Sequence, residues 1–439
     1  MTSLADRLRG VLQSGPKGPP LRTDGDRGGG PKGPPLRTDD ENADDGNAGD
    51  ERRRGPSGPL DAAEILDGEW RESHGRRFLV VDRKYSPGYR HGRMTVADCL
   101  PPWPRVDLLG GCTSGRLLFL DLETTGLAGG AGTYAFLVGC GWFDGGTFRL
   151  RQFVLSDFAA ERSLLESFAQ LAGDADCVVT YNGKSFDLPL IETRFALQRM
   201  PTPFANLPHV DMLHPARRMW RDEEVECRLT YLEQALCGHE REGDVPGFEI
   251  PSRYFQYVRS GDARPLAAVL QHNRLDIVSL AMLTARASQM LDDGPAAAST
   301  PREAYGMGRL YERAGLFEPA LACFQRAGAV AKAGAGDPNV AEATRAAAIL
   351  LRRLRRYEEA AAAWRELIAL RRCPPAYARE AMEALAVHHE HRARNLEAAR
   401  NFALQSLQLP TTTARQQAVK YRLARLDRKL GSGTCSIPF

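Results

Sequence analysis

From Arg116 onward the apolar positions of the chain change rhythm several times. Leu117 to Leu122 is a nearly unbroken apolar run and predicts a buried strand. Tyr134 to Phe143 predicts a second strand and Phe148 to Leu155 a third, in which Phe148, Leu150, Gln152 and Val154 share one face by their period of two. Leu164, Leu165, Phe168 and Leu171 then fall at helical spacing within Ala159–Leu171. Cys177–Thr180 predicts a short fourth strand, and a helix follows over about Ser185–Arg199. Strands interleaved with helices in this way predict a mixed α/β sheet. Ahead of it, short apolar runs such as Phe78 to Val81 alternate with Gly and Pro between Trp70 and Leu109 and predict a few strands. A longer helix is predicted over about Leu266–Leu291.

After Pro295 the chain turns to alanine, arginine and leucine at helical spacing throughout. Three segments align: Phe317 to Ala320, Tyr357 to Ala360 and Leu396 to Ala399, each followed four residues later by Phe324, Trp364 or Ala403. Their periods of 40 and 39 residues predict a helical repeat. The other end of the chain is different. The first 69 residues contain no aromatic side chain, and the decapeptide GPKGPPLRTD occurs twice, from Gly15 and from Gly30. A stretch with so little to bury is expected to be disordered and to act as a tether.

Composition narrows the class. Hydrophobic residues make up 43% and charged residues 26% of the 439, as in ordinary globular proteins. No apolar run is long enough to span a bilayer, and Met1 to Gln13 lacks the apolar stretch of a signal peptide, so a cytoplasmic protein with no membrane partner is expected. Nine scattered cysteines without a C-x-x-C pair imply neither a zinc knuckle nor a disulfide framework. Net charge is only +3, but residues 301–439 hold 23 basic against 13 acidic residues. The basic surplus therefore lies in the helical third.

Three pieces carry candidate chemistry. Asp121 and Glu123 end the first strand two residues apart, so both side chains point to one face at the carboxyl edge, where α/β sheets place their sites. Two carboxylates that close repel, and a hard cation with oxygen ligands relieves the repulsion. The glycines that follow, Gly126, Gly129, Gly130 and Gly132, allow close backbone approach to a ligand or simply a turn. The second piece, YNGKSFDLPL from Tyr181, brings Asp187. The third, HNRLD from His272, lies inside the long helix and stacks His272 on Asp276, one turn apart. Asp211 is a further acidic residue between the second and third pieces, while His214 and His239 have no partner pattern and are expected to be structural or surface residues.

Together and in this order the pieces resemble the DEDD superfamily of exonucleases. Its ribonuclease H-like fold gathers four carboxylates from three motifs, here Asp121 and Glu123, Asp187, and Asp276. Within it, FLDLETTGLAGGAGTYAFLVG and HNRLDIVSL resemble the YprB-type ribonuclease H-like domain, often fused to tetratricopeptide repeats. YNGKSFDLPLI resembles the second exonuclease motif of family B DNA polymerases. The resemblance covers roughly residues 110–290. One departure stands out: superfamily members with a histidine usually have four residues between it and the last aspartate and those with a tyrosine three, whereas His272 sits at the tyrosine spacing.

The resemblance implies a 3′-5′ exonuclease holding two Mg²⁺ or Mn²⁺ ions on Asp121, Glu123, Asp187 and Asp276. His272 would accept or align the proton of the attacking water, and Thr124, Gly126, Asn182 and Phe186 would hold the terminal nucleotide of a nucleic acid with a free 3′ end, DNA or RNA. The four-carboxylate count leaves Asp211 a supporting or substrate role. The expected organisation is a disordered segment over 1–60, a β-rich lead-in over 61–109, the ribonuclease H-like α/β domain, a mixed sheet flanked by helices, over 110–294, and all-α tetratricopeptide-like repeats over 301–430 that bind substrate or a protein partner. A polymerase fragment is disfavoured because no second acidic set follows, and a purely nucleic-acid-binding module would find the carboxylates a liability. A catalytically silent scaffold leaves the filled acidic positions without a purpose.

Overall fold

A computed structural model describes residues 61–432 except 112–114, 127–131, 222–226 and 332–336. The expected disorder of residues 1–60 and the glycines Gly129 and Gly130 lie outside the described residues. Seven strands make one mixed sheet: β1 (Glu69–Ser73), β2 (Arg76–Tyr85), β3 (Leu117–Thr124), β4 (Ala135–Asp144), β5 (Thr147–Val154), β6 (Cys177–Thr180) and β7 (His209–Asp211). Their order is β1-β2-β5-β4-β3-β6-β7. Pairing is antiparallel from β1 as far as β3 and parallel from β3 through β6 to β7. The three parallel strands thus end side by side at one carboxyl edge. Two lead-in strands are built into this sheet, because β2 pairs with β5 from Leu79 opposite Val154 to Tyr85 opposite Phe148, while Arg90–His91 and Met94–Thr95 pair apart from it.

Alternation sorts β3 between the two faces of the sheet. Leu118, Leu120 and Leu122 share a core with Leu164 and Phe168 of α1 (Glu161–Ala172) and with Ile191 and Phe195 of α2 (Asp187–Leu197). Leu117 and Phe119 face the other way, into a core with Ile277 and Leu280 of the 30-residue helix Arg264–Asp293. Period two puts Asp121 and Glu123 on that second face. Between these helices in the chain lie α3 (Leu213–Met219) and α4 (Ile250–Ser260), so the long helix is α5.

Two glycines in β4 decide how close α5 comes. A Cβ at Gly139 would overlap the side chains of Asn273 and Ile277, and one at Gly141 would press on Ile277 and Phe148. Their absence lets the helix sit directly on the strand, which brings Asn273 and Asp276 down to Asp121.

The chain then becomes wholly helical. Thr300 caps α6 (Pro301–Arg313) in a capping box with Glu303, and Pro301 occupies the first turn, where it costs no hydrogen bond. There follow α7 (Phe317–Ala329), α8 (Pro338–Arg353), α9 (Tyr357–Ala369), α10 (Pro375–His391), α11 (Leu396–Leu407) and α12 (Thr413–Ser432). They pack as successive pairs, α6 with α7, α8 with α9, α10 with α11. Each aligned segment opens the second helix of a pair, and Ala320, Phe324, Ala360, Trp364, Ala399 and Ala403 are all buried. The apolar core runs without a break from Phe119 through α5 to Leu310, Phe324 and Leu350. Helix α6 rests on α3 at Gly306, where a Cβ would collide with the Arg218 carbonyl.

Candidate active site

The carboxyl edge of the parallel strands gathers the expected acids. At the end of β3 the register against β4 shifts between Glu123 and Thr124, a bulge of the kind that re-aims side chains beside sites. Asp121 and Glu123 remain on one face with the buried Leu122 between them. Asp187 opens α2, and Asp276 comes from α5. Burial, then the negative charge of Asp276, Glu123 and Asp187, pushes the Asp121 carboxyl well above its usual range. Glu123 is raised by burial and by Asp276 and Asp187. Burial lifts Asp187 to about 7 against the pull of backbone amides. Burial also raises Asp276, opposed by Arg241 and His272. The structure therefore brings all four acids into mutual electrostatic reach.

What holds them is a set of residues to which the sequence reading assigned no role. Asn273 donates its side-chain amide to Asp121 Oδ2 at 2.8 Å and accepts from Gln152 Nε2 at 2.8 Å, while Gln152 also donates to the Leu270 carbonyl. Gln152 thus reaches across from β5 on the α5 face and pins the helix to the sheet. Arg241, only 6% exposed, spreads its guanidinium over three carboxylates: Glu233 at 2.6 Å, Asp244 at 3.0 Å and Asp276 at 2.5 Å. Burial works against its charge, but Asp276 and Glu233 raise it further and keep it protonated.

Asp244 completes a second link. His272 Nδ1 lies 2.7 Å from Asp244 Oδ1, and His272 Nε2 lies 3.6 Å from Asp276 Oδ2. Burial favours the neutral acid at Asp244, but the bonds from His272 and Arg241 outweigh it and hold the carboxyl below its usual range. An ionised carboxylate only accepts, so Nδ1 carries the proton and Nε2 faces Asp276. The reading of His272 and Asp276 as one stacked pair holds, with Asp244 as the orienting partner.

Asp211 has a supporting place. It is 2% exposed and accepts the backbone amides of Asn182 at 2.7 Å, Lys184 at 3.1 Å and Leu213 at 3.1 Å. It thereby fixes the turn of the second motif, whose Asn182 sits at φ 68°, a left-handed conformation that asparagine tolerates better than most residues. Thr124 Oγ1 donates to the Gly126 carbonyl at 3.0 Å, and no described residue lies within 4 Å of where a Cβ at Gly126 would sit. Phe186 is 61% exposed, which removes it from the core. His214 is exposed, and His239 stacks at 4.0 Å on the buried His91, which lies 2.8 Å from Glu233 and 2.9 Å from Ser279 of the third motif.

The donor set suits a hard divalent cation. Four carboxylates, all oxygen donors, lie within electrostatic reach of one another with Arg241 and His272 as opposing groups; burial is the first cause of their raised pKa values, and mutual repulsion adds to it at Asp121 and Glu123. Among the described residues no helix is long and apolar enough to cross a membrane.

Comparison with known proteins agrees with this architecture. A family profile described as the RNase_H superfamily matches residues 118–288. The chain is 30% identical over 365 residues to the uncharacterized protein YprB of Bacillus subtilis (strain 168), spanning 81% of this chain and 86% of that protein. Among solved structures, the family B DNA polymerase of the hyperthermophilic archaeon Pyrobaculum calidifontis is similar over 46% of this chain and 30% of its own, with 15% identity and a TM-score of 0.34.

Proposed function

The chain belongs to the same family as YprB and carries a ribonuclease H-like nuclease domain, and from that premise we propose that it is a metal-dependent 3′-5′ exonuclease of the DEDD type, hydrolysing phosphodiester bonds of DNA or RNA. The observation that carries this reading is that Asp121, Glu123, Asp187 and Asp276, from three separate elements, lie within electrostatic reach of one another, with an oriented histidine beside them.

The four carboxylates would hold two Mg²⁺ or Mn²⁺ ions, which when bound acidify the attacking water and stabilise the leaving 3′ oxygen. The protein's own groups do the rest. His272 Nε2, fixed by the Nδ1 bond to Asp244, faces the recess and orients the water or takes its proton. Arg241 holds Asp276 and Asp244 in register with each other. Asn182 and the Thr124–Gly126 turn offer polar groups to the terminal nucleotide, and the exposed ring of Phe186 offers a face for its base. In this reading residues 110–294 carry the chemistry, 61–109 contribute the edge of the sheet, and the helical repeats of 301–430, tetratricopeptide-like in their spacing, bind the remote strand or a protein partner.

The test is purified full-length protein with 5′-labelled DNA and RNA oligonucleotides in Mg²⁺, Mn²⁺ or EDTA. Metal-dependent shortening from the 3′ end, blocked by a 3′-terminal modification and lost in Asp121→Ala, is expected. A 3′-blocked strand degraded as fast as an open one would overturn the exonuclease assignment, and an Asp121→Ala variant of normal turnover would overturn the site.

A further inference from the structure

Where α6 rests on α3, a cleft of about 540 Å³ opens between the α/β domain and the helical region. Its lining is one-signed: Arg218 from α3, Arg309 and Arg313 from α6, and Arg353 from the end of α8, against the single acid Glu312. Glu312 pairs with Arg309 at 2.5 Å and reaches Arg353 at 3.7 Å. Arg353 also lies 4.6 Å over the ring of Phe317. Arg313 is exposed and, among the described residues, makes no ion pair or side-chain hydrogen bond, and Arg218 bonds only to the His214 carbonyl. Burial, with Arg313 and Arg309 nearby, makes the Arg218 guanidinium easier to discharge than usual. Among the described lining residues, four guanidiniums around one carboxylate leave a surplus of three positive charges.

The cleft is tied to the site by a short path. Asp211 binds both the second-motif turn and the amide of Leu213 that starts α3. From Asp211 to Arg218 is seven residues, about 10 Å at about 1.5 Å per helical residue. His214, Arg217 and Arg218 fall three and four apart, on one face of α3, with His214 and Arg217 exposed.

The geometry points to this arginine cleft as a phosphate-binding track for the single strand leading away from the carboxylates, engaging nucleotides upstream of the 3′ end. It rests on the nuclease reading above. Guanidiniums suit phosphodiesters because their donor fork matches two phosphate oxygens, and the Phe317 ring beneath Arg353 adds a flat surface for stacking.

The test measures binding of full-length protein to 5′-fluorescein oligonucleotides of three and twelve residues, deoxythymidine and uridine, by anisotropy in EDTA across a salt series. The variant is Arg313→Ala/Arg353→Ala, whose side chains are both exposed, with Arg313→Lys/Arg353→Lys as the charge-preserving control. For the twelve-residue strands the alanine variant should bind at least tenfold more weakly, with a slope of log K against log salt lower by about 1.4, at about 0.7 per lost contact on single strands. The trinucleotide should lose much less affinity than the twelve-residue strands, and the lysine variant should keep the wild-type slope. An alanine variant with unchanged affinity and slope, or one that loses both lengths equally, would overturn the track. Hydrolysis in Mn²⁺ is scored separately: wild type that cleaves and binds while the variant keeps its slope sinks the cleft alone. Wild type that neither cleaves nor binds any oligonucleotide sinks the nuclease reading beneath it.

Discussion

Replacing Asn273 by aspartate is the sharpest probe of the carboxylate recess. The amide donates to Asp121 Oδ2 at 2.8 Å, so Asn273→Asp exchanges a donor for a fifth acid beside Asp121. Two unit charges with centres about 4 Å apart repel by about 4 kcal/mol at an effective dielectric constant of about 20. The alternative is to bind one more proton than the wild-type cluster. At pH 7 that costs about 4 kcal/mol for a carboxyl whose ordinary pKa is near 3.9. Both routes cost the same, so the variant should lose about 4 kcal/mol of stability at pH 7. The sign of its pH dependence follows: the added group's pKa is raised in the folded state, so the native protein holds a proton that the unfolded chain releases. The deficit should therefore shrink by about 1.4 kcal/mol per unit as pH falls from 7, and level off near pH 4, where the unfolded chain takes up the same proton. Urea unfolding of both proteins between pH 5 and 8 measures this. Mn²⁺ should raise the melting temperature of Asn273→Asp more than that of wild type if the acids share a cation. A deficit under about 1 kcal/mol at pH 7, or a gap that does not narrow below pH 6, would show that Asn273 does not face a charged cluster.

Asp211→Ala removes the acceptor of three backbone amides, each worth about 1–3 kcal/mol when left buried and unpaired; hydrogen exchange at Asn182 and Lys184 should accelerate, and unchanged protection would refute the tie. Asp244→Asn should lower the turnover number about 10- to 100-fold with little change in KM, since His272 loses its orienting carboxylate while the four acids stay; an equal rise in KM would place Asp244 in binding instead. Arg425 and Lys429 overcome burial and hold Glu390 down to about 2. A depressed carboxyl stabilises the fold above its unfolded pKa near 4.5 and ceases to do so as pH falls through 2, so Glu390→Gln should melt below wild type at pH 7 and match it only near pH 2. A constant difference across that window would mean that the charge on Glu390 does not hold α12 to α10.

The strands and helices of the α/β core are legible because their core-facing residues repeat with the period of the element. Leu117 to Leu122 and Cys177–Thr180 appear as read, and the three aligned segments after Pro295 open the second helices of three pairs. Two short features escaped. His209–Asp211 forms β7 with only three residues, too few to show a period, and the lead-in strands could not be assigned to the sheet because pairing partners such as Leu79 and Val154 lie 75 residues apart. The approach of α5 to β4 rests on Gly139 and Gly141, whose meaning is the absence of a side chain. Nothing in the sequence says which neighbour fills that space.

Of the candidate site, the acids were legible and their supports were not, for a physical reason. Asp121 and Glu123 sit on one strand and His272 and Asp276 on one helix, so element geometry fixes each pair. Glu233 opens the short π-helical segment Glu233–Cys237, Arg241 and Asp244 belong to the loop after it, and they meet Asp276 only when that loop closes over α5. Loop closure costs little extra entropy with length, so the spacing between such partners carries no signal. Yet this loop bears on His272, whose spacing from Asp276 is the one departure from the exonuclease pattern that the motifs resemble. A tyrosine hydroxyl has one polar end to aim at the recess. An imidazole has two, and unless one nitrogen is committed the other has no fixed tautomer. Asp244 commits Nδ1 and leaves Nε2 toward Asp276, so a histidine can serve at this spacing because the loop supplies its partner. His272→Tyr alone would leave Asp244 without the imidazole bond, whereas His272→Tyr together with Asp244→Asn removes that charge with it. If the histidine only orients water, the double variant should therefore be at least as active as the single one; a double variant that is inactive while folded and metal-binding would make His272 the base.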